Sequence, residues 1–349
     1  MCKRTRLISL LSFLLTLTLF CPLFSGCAKI SEKNLQTCQF FGYFDTVSSL
    51  KFYESDGDKI NSVKEKFEAL LIDYDKLLDV YEHHDNTVNL YDVNNNAGKE
   101  AMKVDQRLFD VIEFGKQMHE LTEGACNVAL GAVISLWHDA REYSLKKPDN
   151  AYLPSDSDIK EALLHTDINS LILNKEDLSV KITDEKLSLD FGAVAKGFIA
   201  QKASELLNSL GYKSFLVNLG GNVLATGEKS DGSAWKALIE DPFPDKRNGF
   251  TDTISLIDQT LVTSGSYQRF YTVEGKNYSH IINNTDGMPP DHFASVSVIA
   301  PSSSSGIADA LSTALFCMDL ESGKKLIESL DGIEAIWISD DGSIFQSAE

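Results

Sequence analysis

The chain has 349 residues, 43% of them hydrophobic, which is enough to bury one large core or two closely packed ones. Its 51 acidic side chains outnumber 32 basic ones, for a net charge of −19 at pH 7. Such an acidic surface argues against a nucleic-acid partner, and an anionic small substrate would need a local cationic spot or a bound metal.

Lys3, Arg4 and Arg6 precede the apolar run "LISLLSFLLTLTLFCPLF" (7–24), which is too short, with its flanks, for a stable membrane span. It reads as a secretory signal ending in "LFSGC" (23–27), where Ser25 and Gly26 before Cys27 follow the pattern of a bacterial lipobox. The expected organisation is a lipoprotein signal over 1–26, a polar tether over 27–39 and one domain over 40–349 that could comprise two closely packed subdomains. Cys27 would carry the lipid (palmitate among the acyl chains), and the protein would face the extracytoplasmic side of the cell membrane without a spanning helix. Cys38, Cys126 and Cys317 remain, with no CxxC or Cys/His spacing, so neither a disulfide framework nor a zinc site is expected.

Further along, "FGYFDTVSSLKFYE" (41–54) has strand composition, and 59–82 carries Val63, Phe67, Leu70, Leu71, Tyr74, Leu77 and Leu78 at helical spacing. A second helix is expected over 105–124, with Asp105 as N-cap and Gly124 as its stop. Residues 127–143 are apolar, then polar; 144–158 form a surface excursion, and a short helix follows over 156–165. Alternation over 170–192 predicts a hairpin and a strand at Leu187–Leu189 that turns at Asp190-Phe191-Gly192 into a helix over 194–209. "SFLVNLGGNVLATGE" (214–228) is a hairpin turning at Gly220-Gly221-Asn222. More strands occupy 235–300, helices 307–318 and 322–330 follow, and a strand closes the chain. Helices and mostly antiparallel strands in separate runs give an α+β class with mixed sheets and packed helices.

Three stretches carry candidate chemistry. In "LSLDFGAVAKGFIAQKA" (187–203), small residues at a helix start leave N–H donors open to a ligand, and Lys196 adds a full charge. Without further context the same residues make a tight turn with an exposed lysine. In "SSSSGIADALSTALFCM" (302–318), Asp309 and Thr313 are i, i+4, a carboxylate and a hydroxyl on one helix face that suit Mg²⁺; the alternative is a helix whose threonine bonds its own backbone. In "LVTSGSYQRFYTVEGKNYSHIINNTDGMP" (261–289), Ser264, His280 and Asp286 invite comparison with a hydrolase triad, but no GxSxG elbow accompanies them. "NLGGN" lacks GxGxxG spacing, and His83-His84 have no further ligand spacing.

Taken in order, the lipobox, "FDT" (44–46), "TEGACN" (122–127), "LDFGAVAKG" (189–197), "LVNLGGNVLATG" (216–227), "VTSGSYQRF" (262–270), "SHIINNTDGMP" (279–289) and "ADALSTAL" (308–315) resemble the ApbE family of FAD:protein FMN transferases. The resemblance spans nearly all of the mature chain. It implies an ApbE/T-fold-like α+β fold and Mg²⁺-dependent cleavage of FAD, with FMN passed to a Thr or Ser hydroxyl of a partner protein and AMP released. It implies the Ala193 carbonyl, Asp309 and Thr313 as Mg²⁺ ligands. Asp190 and Lys196 would contact FAD, with Lys196 near the pyrophosphate. Ala125, Cys126 and Asn127 match a flavin-contacting segment, and Thr46, Ser264 and Ile281 lie in matching segments. His280, Lys196 and Asp309 are the catalytic candidates, with His280 as base or orienting group. The sequence departs from the family where Cys126-Asn127 replace Phe-Asp, where Asp45 replaces a glycine, and where Asn283-Asn284 replace Asp-Pro. The expected partners are extracytoplasmic flavoprotein subunits of respiratory ion-pumping complexes or secreted flavin reductases. The rivals are an FAD pyrophosphatase on the same scaffold and a non-catalytic flavin-binding lipoprotein.

Overall fold

The computed structural model describes residues 33–243 and 250–347. The expected signal and Cys27 lie outside the described residues. The chain runs through a hairpin of β1 (Leu35–Tyr43) and β2 (Thr46–Tyr53), then α1 (Gly57–Leu77), α2 (Leu90–Asn95), β3 (Met102–Lys103) and α3 (Gln106–Leu121). Next come α4 (Gly131–Lys146), α5 (Asp156–Leu163), β4 (Leu171–Asn174), β5 (Ser179–Ile182) and α6 (Ala195–Ser209). They are followed by β6 (Phe215–Leu219), β7 (Asn222–Thr226), β8 (Trp235–Glu240), β9 (Phe250–Leu256), β10 (Gln259–Gly265), β11 (Phe270–Val273), β12 (Lys276–Ser279) and β13 (Phe293–Pro301). Helices α7 (Ser305–Cys317) and α8 (Leu320–Glu328) precede β14 (Glu334–Ser339) and β15 (Ile344–Gln346).

Eight strands form the main sheet in the order β1-β2-β6-β7-β10-β13-β14-β15. Each neighbouring pair in it is antiparallel. Its middle is covered on both faces. Helices α7 and α8 bury one side, α7 through Leu311, Leu315 and Phe316 and α8 through Ile327, in a cluster with Val296, Val298 and Trp337. The β8–β9 hairpin covers the other, with Trp235, Ala237 and Ile239 against Leu216, Leu261 and Ile299. That double cover explains why β13, "FASVSVIAP", is buried at every position but the last. At the other end of the sheet, Leu50, Phe52, Phe215 and Val217 meet α1, α3 and α6 in the largest core cluster. The α+β expectation holds.

Three local expectations are corrected. The tether ends sooner than residue 39, because Leu35–Gln39 already pair with Ser49–Tyr53. The polar side chains of Gln36, Thr37 and Gln39 hid this strand. Helix α1 starts on an Asp56 cap but stops at Leu77 rather than 82. Asp79 pulls the chain out of the helix by accepting from the Tyr81 and Glu82 N–H groups and bonding His84 Nε2. Leu187 and Leu189 are buried, yet residues 187–189 join no sheet among the described residues. The Asn94 side chain takes the place of a neighbouring strand there, accepting from Leu189 N–H at 2.8 Å and donating to its carbonyl at 3.0 Å.

Candidate functional site

The centre of the site is the contact of α6 with α7. The turn before α6 is set by Asp190, whose Oδ1 accepts from Gly192 N–H at 2.8 Å. Val194 and Ala195 N–H groups both bond the Phe191 carbonyl. Continued helical geometry would aim Gly197 N–H at the Ala193 carbonyl. Instead it donates to Asp309 Oδ2 at 2.7 Å, and the Ala193 carbonyl accepts no backbone N–H among the described residues. Glycine is required here, since a Cβ at 197 would overlap the Ser305 carbonyl and stand 2.5 Å from Asp309 Cβ.

Asp309 is 3% exposed. Burial raises its pKa, opposed by the charge of Lys196, the Gly197 N–H and the Asn222 amide. Asn222 is itself buried and faces this carboxylate, although its Nδ2 makes no bond within ordinary hydrogen-bond geometry. Thr313 follows one turn later, half-buried, with its Oγ1 3.4 Å from Ser264 Oγ. Ser264 bonds Ser312 Oγ at 2.8 Å, and Ser312 donates to the Asp309 carbonyl at 2.9 Å. A buried carboxylate, a hydroxyl and a backbone carbonyl without an N–H therefore collect at one junction. Among the described residues no three His, Cys, Asp or Glu side chains gather as a metal cluster. An oxygen set with a single carboxylate suits Mg²⁺, which keeps part of its shell for water and phosphate.

Basic side chains act on this junction and on His280 near it. Lys196 is half-buried on the first turn of α6, and its charge acts on Asp190, Asp309 and His280 together. Desolvation raises the Asp190 pKa although the residue keeps some surface, and the Gly192 N–H, His138 and Lys196 oppose it. His280 is exposed as a residue, yet desolvation and then Lys196, Arg269 and Arg141 push its pKa down to about 4, while its bond to Arg269 opposes them. Its Nδ1 lies 3.1 Å from the Arg269 carbonyl. Arg141 and Arg269 also wall a hollow of about 450 Å³ with Asp45, Glu142, Leu145 and Phe270. Lys196, Arg269 and Arg141 all act on His280, while Glu142, which pairs with Arg141 at 3.6 Å, and Asp45 offset part of that charge at the hollow.

The structure thus brings Asp190, Ala193, Lys196, Ser264, His280, Asp309 and Thr313 to one region. The triad comparison fails on geometry, because Ser264 bonds α7 hydroxyls, His280 bonds a carbonyl, and Asp286 accepts from Met288 N–H. The 125–127 segment is placed differently from a simple flavin-contacting strip. Ala125 is half-buried, and the Cys126 side chain is 1% exposed in the core, where burial raises its thiol pKa. Asn127 is used within the fold: Oδ1 accepts from Ala129 N–H, and Nδ2 donates to the Thr166 carbonyl and Asn284 Oδ1. Asn284 in turn donates to the Gly124 carbonyl. Two positions where the chain departs from the family pattern are therefore one contact. Ile281 is buried, and Thr46 packs on Gly220 at the turn between β6 and β7. Sequence reasoning missed Arg141, Arg269, Asn222 and the role of Gly197. The scarcity of arginine was a usable signal for the first two.

Residues 44–337 match the ApbE family. Among similar proteins, the FAD:protein FMN transferase of Treponema pallidum is 33% identical over 270 residues, covering 73% of this chain and 72% of that protein. A Klebsiella pneumoniae protein of the same name is 30% identical over 258 residues, covering 74% and 77%. The crystal structure of the ApbE protein from Thermotoga maritima aligns with a TM-score of 0.79 at 24% identity, covering 90% of this chain and 97% of that one. The flavin transferase ApbE from Vibrio cholerae aligns at 0.75 with 24% identity, covering 90% and 98%.

Proposed function

The chain belongs to the ApbE family, and from that premise we propose that it is an FAD:protein FMN transferase acting on a Thr or Ser hydroxyl of an extracytoplasmic protein. The observation that carries the site reading is the diverted Gly197 N–H, which holds the buried Asp309 carboxylate and leaves the Ala193 carbonyl open on the same turn. Ala193, Asp309 and Thr313 would hold Mg²⁺. When bound, the ion would neutralise charge on the pyrophosphate oxygens.

The chain's own residues account for the rest. Lys196 supplies a positive charge on the first turn of α6, where a pyrophosphate would meet it. The acceptor oxygen would form a bond to the FMN-side phosphorus as the bond to the bridging oxygen breaks, and that oxygen would leave with AMP. The proton of the acceptor hydroxyl would pass to His280 Nε2, since Nδ1 already faces a carbonyl and must carry hydrogen. A His280 pKa pushed down to about 4 keeps the ring neutral at pH 7. The N-terminal lipobox supports a lipid-anchored enzyme at the outer face of the cell membrane. Subunits of respiratory ion-pumping complexes and secreted flavin reductases fit as acceptors. No helix among the described residues is long and apolar enough to cross a membrane.

The test is intact-mass spectrometry of an extracytoplasmic flavoprotein domain from the same genome after incubation with the chain, FAD and Mg²⁺. A gain of one FMN residue, lost with Asp309→Ala, is expected. Free FMN and AMP with unmodified acceptor would favour the pyrophosphatase. Intact, bound FAD would leave a flavin-binding protein.

A further inference from the structure

Arg269 stands just before β11, and its two ends do different work. Its carbonyl oxygen accepts two hydrogen bonds from His280, one from the backbone N–H and one from Nδ1, each at 3.1 Å. A carbonyl can only accept, so Nδ1 carries the proton and Nε2 of the neutral ring keeps its lone pair. The guanidinium donates from Nη2 to the Asp45 carbonyl at 2.8 Å. Asp45 lies at the tip of the β1–β2 hairpin, where Phe44 and Asp45 have φ values of 53° and 51°. That tip is fixed in its own right. Phe44 N–H donates to Asp75 Oδ1 at 2.9 Å, and Thr46 packs on Gly220. One side chain therefore ties the loop bearing the carbonyl to an edge of the main sheet.

We propose that Arg269 is a positioning residue for His280: its carbonyl sets the tautomer and aim of the imidazole, and its guanidinium keeps that carbonyl in place by clamping the β1–β2 hairpin tip. The inference rests on reading His280 as the acceptor of the substrate proton. Three cations face the ring, namely Lys196 from α6, Arg141 from α4 and Arg269 itself. Of these, Arg269 is the one that also bonds the ring.

The tautomer can be read without substrate, by long-range ¹H–¹⁵N NMR of the histidine side chains in the free full chain. The His280 signals are assigned by their loss in His280→Gln. The wild type is expected to show the Nδ1–H tautomer. Arg269→Gln is expected to mix the tautomers, to lower kcat by up to about 10²-fold with a smaller change in KM for FAD, and to move the acid limb of kcat/KM to higher pH, because a cation beside the ring is gone. Arg269→Lys retains a cation but not the planar fork, so it should mix the tautomers while moving the acid limb less. An Nε2–H tautomer in the wild type would overturn the proposal, whether or not a variant folds. So would an Arg269→Gln protein with unchanged tautomer and pH profile. A wild type that holds the tautomer but transfers no FMN would instead count against the proposed function.

Discussion

Gly197→Ala is the perturbation that probes the α6–α7 junction most sharply. The new Cβ would stand 2.5 Å from Asp309 Cβ and closer still to the Ser305 carbonyl, both parts of a packed helix rather than ends of flexible side chains. Overpacking of that kind costs about 1–3 kcal/mol. Pushing the helices apart also stretches the bond from Gly197 N–H to the Asp309 carboxylate, worth roughly 1.5–3 kcal/mol for a hydrogen bond to a charged group. The better helix propensity of alanine returns about 1 kcal/mol. The net expectation is a loss of about 1.5–5 kcal/mol, read from urea unfolding followed by far-UV circular dichroism, together with a weakened Mg²⁺-induced rise in Tm. Gly57→Ala is the control, because nothing lies within 4 Å of a Cβ there and its φ is ordinary. A Gly197→Ala protein within about 0.5 kcal/mol of wild type, with its Mg²⁺ response intact, would refute the reasoning.

Asp309→Asn should stabilise the metal-free protein at pH 7. Burial raises the Asp309 pKa, so the folded state holds its proton more tightly than the unfolded chain. Stability then falls as pH rises from the unfolded value through the raised folded one, and the gap between variant and wild type should close in acid. Thermal melts in chelator across pH would show this, and added Mg²⁺ should raise Tm in the wild type alone. The Asn127–Asn284 contact predicts coupling: in a double-mutant cycle to alanine, the two losses should differ from additivity by more than about 0.5 kcal/mol. Additive losses would mean that the bond contributes nothing.

Much of this architecture is legible in the residues. The α1 stripe, the Asp105 cap of α3 and the Gly220-Gly221 turn are local signals, and each is where the pattern places it. Asp45 also became intelligible, because its left-handed φ of 51° suits glycine but is tolerated by aspartate. Asp309 and Thr313 were legible because helix periodicity places i and i+4 side by side. Other features were hidden because they depend on chain segments far apart in sequence. The run at Leu187–Leu189 is held by a side chain from α2, and β1 disguises its pairing behind glutamines. The arginines acting on His280 come from α4 and the loop before β11, and no local pattern links them. Gly197 is visible as a small residue, but its reason lies in α7.

Product stoichiometry in a single turnover tests the central claim most directly. With FAD limiting, Mg²⁺ present and an extracytoplasmic acceptor domain in excess, AMP should appear in equal amount to FMN-modified acceptor, with both absent for Asp309→Ala. AMP released together with free FMN, and acceptor unmodified across every candidate domain from the same genome, would contradict the transferase account.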